Sequence, residues 1–81
     1  MKSKETQAHR IINLLGGKEN IVDVDACMTR LRVTVIDETK VGTLEEWKRE
    51  GALGLLVKGK GIQAVYGPKA DVIKSNILDI L

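Results

Sequence analysis

Residues 20–35 read Asn20-Ile21-Val22-Asp23-Val24-Asp25-Ala26-Cys27-Met28-Thr29-Arg30-Leu31-Arg32-Val33-Thr34-Val35. In the second half, Leu31, Val33 and Val35 alternate with Arg30, Arg32 and Thr34. That period of two predicts a strand over 29–35 with one apolar and one polar face. In the first half, Val22, Val24 and Ala26 alternate with Asp23 and Asp25, so 20–25 is expected to be extended too. Ala26, Cys27 and Met28 are left between the strands as a tight connection. The segment is therefore expected to be a hairpin whose tip carries the chain's single cysteine.

Working outward, Ala8, Ile11, Ile12 and Leu15 form an apolar stripe at helical spacing, and Gly16-Gly17 ends it. Downstream, residues 36–42 form a polar loop. Thr43-Leu44-Glu45-Glu46 has the spacing of a capping box, predicting a short helix to Glu50 that stops at Gly51. Residues 53–58 and 62–66 read as two further strands, joined by Gly59-Lys60-Gly61. Gly67-Pro68 opens a final helix with Ile73, Ile77, Ile80 and Leu81 on its buried side. The order is helix, hairpin, helix, hairpin, helix. It predicts an α+β fold: a four-stranded antiparallel sheet from two hairpins, with three helices covering one face and the other open to solvent. No repeat or linker interrupts residues 1–81, which are expected to form a single domain.

Composition narrows the chemistry. The chain has 81 residues and a formal charge of +2, too little to attract nucleic acid or membrane by bulk electrostatics. The longest apolar runs, such as Leu55-Leu56-Val57, fall far short of a membrane span, and no signal-peptide segment is present. One Cys and one His exclude an intrachain disulfide and leave too few ligands for a zinc site. No metal or cofactor is expected, and the compartment is expected to be reducing. With Trp47, Tyr66 and no Phe, the core must be chiefly aliphatic, and a deep aromatic-lined pocket has nothing to line it. Any chemistry belongs at the surface.

Cys27 is the first candidate. A lone cysteine is ordinarily a small buried hydrophobe. Here it sits at a predicted turn, after Asp25 and before Met28, Thr29, Arg30 and Arg32. The two arginines are two apart on a strand, on one face, with bases roughly 6.6 Å apart. Either they are a solvated sheet face, or they form a positive patch that favours a thiolate and holds a phosphate through forked donors. Gly59-Lys60-Gly61 is a hairpin turn that could also approach an anion; it has neither Walker nor dinucleotide-binding spacing. Gln63 lies just beyond it. Asp23 and Asp25 read as outward strand residues, and His9 as an exposed helix residue.

Residues 20–33 resemble the phosphorylation segment of the glucose-type enzyme IIB domain of the bacterial phosphoenolpyruvate-dependent sugar phosphotransferase system. Gly59-Lys60-Gly61-Ile62-Gln63-Ala64-Val65-Tyr66-Gly67 resembles that family's second signature stretch, and Leu15-Gly16-Gly17-Lys18-Glu19-Asn20-Ile21 its lead-in. The resemblance runs from about Ala8 to Leu81. It implies the same four-stranded sheet, and a phosphotransferase activity in sugar uptake. Cys27 would accept phosphate from a phosphohistidine of enzyme IIA and, as phosphocysteine, pass it to a sugar held by the membrane enzyme IIC. Arg30 and Arg32 would assist transfer. Asp25, Met28, Thr29, Gly59, Lys60, Gly61 and Gln63 would contact phosphate or partner. Lys60 departs from the small polar residue expected between those glycines. The domain would be monomeric and cytoplasmic, or at the cytoplasmic membrane face within a larger transporter. Two other readings stand beside this one. In the first, Arg30, Arg32, Lys58 and Lys60 make a basic sheet face that binds RNA or an acidic protein without catalysis, though the stacking aromatics of such surfaces are missing. In the second, Cys27 is a redox-sensing thiol, lacking a resolving cysteine in the chain.

Overall fold

A computed structural model describes residues 6–81. The 20–35 segment forms a hairpin of β1 (Ile21–Cys27) and β2 (Arg30–Val35). A second hairpin is built from β3 (Gly54–Lys58) and β4 (Gly61–Val65). All pairings are antiparallel, and the four strands lie in the order β1-β2-β4-β3, which puts β2 and β4 at the centre. The expected α+β architecture is thus present. The strands differ from expectation at their ends. β1 runs on through Cys27, so the first turn is Met28-Thr29 alone. The second turn is Gly59-Lys60, with Gly61 already paired in β4.

Helices α1 (Gln7–Leu14), α2 (Leu44–Arg49) and α3 (Ala70–Ile80) cover one face. α3 packs on β1 and β2, α2 on β3, and α1 on both other helices. Alternation decides which face each strand buries. Leu31, Val33 and Val35 are buried while Arg30, Arg32 and Thr34 are exposed; Ile62 and Ala64 are buried on β4. Ile11, Leu15 and Ile77 join them from the helices. Both aromatics enter this aliphatic core. Trp47 is fully buried, with no hydrogen-bond partner for its indole N–H among the described residues, and Tyr66 is nearly so. Burial pushes the Tyr66 hydroxyl to titrate well above its ordinary range.

The capping box is complete: Thr43 Oγ1 accepts from the Glu46 N–H, and Glu46 Oε1 accepts from the Thr43 N–H at 2.8 Å. Thr43→Ala should cost about 1 kcal/mol, read as a lower urea midpoint at constant m; no shift would discount the box.

One element had no clear sequence signal. Asn20 is buried between α1 and β1. Its amide donates to the carbonyls of Leu15 (2.7 Å) and Asp37 (3.0 Å), and its Oδ1 accepts from the Asp37 N–H at 2.9 Å. The Ile36 N–H donates to the Asn20 carbonyl. Asn20 thus ties the segments entering β1 and leaving β2, closing the hairpin at its open end.

Candidate functional site

The open face of the sheet can be read in rows from its strand register. Cys27, Arg30, Val65 and Gly54 form one row. Asp25, Arg32, Gln63 and Leu56 form the next. Cys27 is the last residue of β1, directly across from Arg30, and it is exposed. Met28, 88% exposed, makes the tip and carries φ +54°. A two-residue hairpin loop needs a positive φ at its first central residue to follow the twist of the strands, and glycine is the usual occupant. Here methionine accepts that conformation. The Thr29 carbonyl accepts from both the Tyr66 and Gly67 N–H groups, each at 3.0 Å. The tip is therefore fastened to the junction of β4 and the chain leading into α3.

Cys27, Met28, Thr29, Arg30, Arg32 and Gln63 line an open depression of about 470 Å³. A smaller one of about 220 Å³ adjoins it, sharing Arg32 and Gln63 and adding Asp23 and Asp25. Arg30 Nη1 donates to Gln63 Oε1 at 2.9 Å. Gln63 thereby holds one guanidinium over the depression. Asp25 leans the other way. Its Oδ1 accepts from the Ala26 N–H at 2.8 Å and pairs with Lys74 Nζ at 3.3 Å. The Ala26 N–H above all, then Lys74 and Arg32, hold the Asp25 carboxyl below its ordinary 3.8. With the folded value depressed, any stability from this carboxylate is complete above about pH 4 and is lost as pH falls through the lower folded value.

The structure brings Asp25, Cys27, Met28, Thr29, Arg30, Arg32 and Gln63 together, but not Gly59, Lys60 and Gly61 around the same thiol. Gly61 pairs with Thr34, four residues along β2 from Arg30, or roughly 13 Å at ~3.3 Å per residue. Gly59 and Lys60 lie beyond it. Antiparallel pairing sends the second turn, Gly59-Lys60, to the opposite end of the sheet from Cys27, while Gly61 lines the smaller depression with Asp25, Arg32 and Gln63. Lys58 pairs with Gly61 and so falls in the row beyond Arg32 on the open face, two strands across from β2. His9 is exposed on α1, its ring 2.9 Å from the Thr6 hydroxyl. The sequence reading passed over Lys74; its contact with Asp25 spans 49 residues, and no local pattern signals it.

The open face of this α+β sheet thus sets one thiol and two guanidinium groups at its end, on the surface and not in a closed pocket. A family model described as phosphotransferase system, EIIB matches residues 9–41. Over 76 residues, 94% of this chain, the sequence is 71% identical to a glucose-specific EIICBA component of the phosphotransferase system from Streptococcus pneumoniae. The chain spans 10% of that protein's length. The crystal structure of one domain of a phosphotransferase-system IIabc component from Clostridium difficile superposes with a TM-score of 0.76 at 21% identity, covering 93% of this chain and 78% of that one, and shows the same fold. The chain belongs to the enzyme IIB family of the phosphotransferase system. No helix among the described residues is long and apolar enough to cross a membrane.

Proposed function

We propose that residues 1–81 form one enzyme IIB domain that carries a phosphoryl group on Cys27 between two partners during sugar uptake. The supporting observation is the exposed thiol at the end of β1, on the same sheet face as Arg30 and Arg32. In the first step the Cys27 thiolate attacks the phosphorus of a phosphohistidine on enzyme IIA. The S–P bond forms, the N–P bond breaks, and neutral imidazole leaves, the other ring nitrogen of the phosphohistidine already carrying a proton. In the second step a sugar hydroxyl held by enzyme IIC attacks the same phosphorus. The S–P bond breaks, the thiolate is regenerated, and the hydroxyl proton passes to a base on enzyme IIC.

Such transfer needs positioning and charge stabilisation more than covalent assistance. Arg30 and Arg32 supply the charge on the depression beside the sulfur, and Met28 and Thr29 shape the surface a partner meets. Gly59, Lys60 and Gly61 remain available as a partner contact remote from the phosphorus. A shallow site suits a carrier, because a group sealed in a pocket could not be handed on. The relative's composite architecture supports IIA and IIC as donor and acceptor, and glucose or a related sugar as the cargo. It also supports a place at the cytoplasmic face of the membrane.

The test is to incubate the chain with phosphoenolpyruvate, the general phosphotransferase proteins and a IIA partner. One phosphate should map to Cys27 and be released to sugar by a IIC membrane preparation; phosphate mapping elsewhere refutes the reading. Arg30→Ala or Arg32→Ala should each slow transfer to sugar about tenfold, the worth of one hydrogen bond to a charged group, with the thermal midpoint unchanged. Unchanged transfer by both removes their assigned role.

A further inference from the structure

The register sets Asp25 directly opposite Arg32. Opposite charges so placed have bases ~5 Å apart and ordinarily pair across the strands. Here they do not. Among the described residues, the Arg32 guanidinium has no hydrogen bond and no ion pair. The Asp25 carboxylate instead takes the Ala26 N–H and Lys74 Nζ on its Oδ1. β1 is an edge strand, and α3 lies on the helix-covered side of the sheet. Lys74 must therefore reach round that edge to meet a carboxylate rooted on the open face. Its neighbours Ile73 and Ile77 are buried in the core, which fixes the helix that delivers it.

We propose that Lys74 is a positioning residue: by drawing the Asp25 carboxylate over the edge of the sheet, it leaves the Arg32 guanidinium free to receive the phosphoryl group at Cys27. The inference rests on Cys27 being the phosphoryl carrier. Arg30 is already engaged with Gln63, so Arg32 is the cation with all its donors available. Without Lys74, rotation about the Asp25 side chain returns the carboxylate to Arg32. That both occupies the guanidinium and brings a negative charge toward an incoming phosphate. The order of influences on Asp25, with the Ala26 N–H and Lys74 ahead of Arg32, agrees with a carboxylate leaning away from the face.

The experiment measures single-turnover phosphorylation of Cys27 by a phosphorylated IIA donor. Lys74→Gln should slow it about three- to tenfold, the worth of one exposed ion pair together with the unscreened carboxylate. Lys74→Arg should keep most of the rate. The double variant Lys74→Gln with Asp25→Asn should run faster than Lys74→Gln and match Asp25→Asn alone, because no carboxylate is left to capture Arg32. A purely structural role for Lys74 predicts a double variant no faster than Lys74→Gln. That outcome overturns the inference, as does a Lys74→Gln rate equal to that of the unaltered chain. If the carrier reading itself fails, the unaltered chain stays unphosphorylated at Cys27 too, which separates the two failures.

Discussion

Cys27→Ser will lose phosphoryl transfer by on the order of a thousandfold or more, the scale seen when a nucleophile is removed while its surroundings stay intact. The serine hydroxyl matches the thiol in shape, yet it is far less ionised near neutral pH, and no histidine base accompanies it: the chain's one His is on α1 and paired with Thr6. The same substitution should leave stability within about 0.5 kcal/mol, because Cys27 is exposed and outside the core. Loss of transfer with an unchanged urea midpoint is thus the expected pair of results. A serine variant that still passes phosphate to sugar at the unaltered rate would remove Cys27 from the reaction. A variant that unfolds would show the thiol to be structural. The redox reading makes a different forecast: mild peroxide would convert Cys27 to a sulfenic acid or mixed disulfide without any phosphate donor.

Asn20→Ala has the largest expected effect on stability. It deletes three hydrogen bonds and strips that partner from the buried Leu15 carbonyl and the half-buried Asp37 N–H, while the Asp37 carbonyl keeps only the longer bond from the Lys40 N–H at 3.3 Å. At about 1 kcal/mol per bond the loss is about 3 kcal/mol, a large share of the roughly 4–12 kcal/mol expected for a domain of this length. The thermal midpoint should fall by about 15 °C. A fall of only a few degrees would mean that water or a local shift satisfies those groups instead. Because the latch lies at the end of the hairpin away from Cys27, transfer by the folded fraction should survive.

The sheet could be read ahead of the structure because alternation is local. Leu31, Val33 and Val35 select one face, Arg30 and Arg32 the other, and the pairing of hairpins follows from turn residues. The capping box at Thr43 and the stop at Gly51 are local signals as well, and α2 obeys both. What escaped is long-range. Whether Gly59-Lys60-Gly61 stands near Cys27 depends on the strand order β1-β2-β4-β3 and on which end of β2 each turn meets, and neither is encoded within a few residues. The same holds for Lys74 and Asp25, which tertiary packing alone brings together. Asn20 is a different case. The alternation reads Asn20 as the start of the strand, whereas it ends the short turn Lys18–Asn20 ahead of β1, and its burial becomes visible only when the far partner Asp37 is known.

The doubly accepting Thr29 carbonyl bears on how fast a carrier can work. In the proposed role, a tip fastened in this way to the body of the domain would offer the sulfur in one place to donor and recipient alike. Neither docking event has to wait for a loop to reorganise. Under that proposal the tempo of transfer would be set by how often the proteins collide in the right orientation, and by how quickly they part.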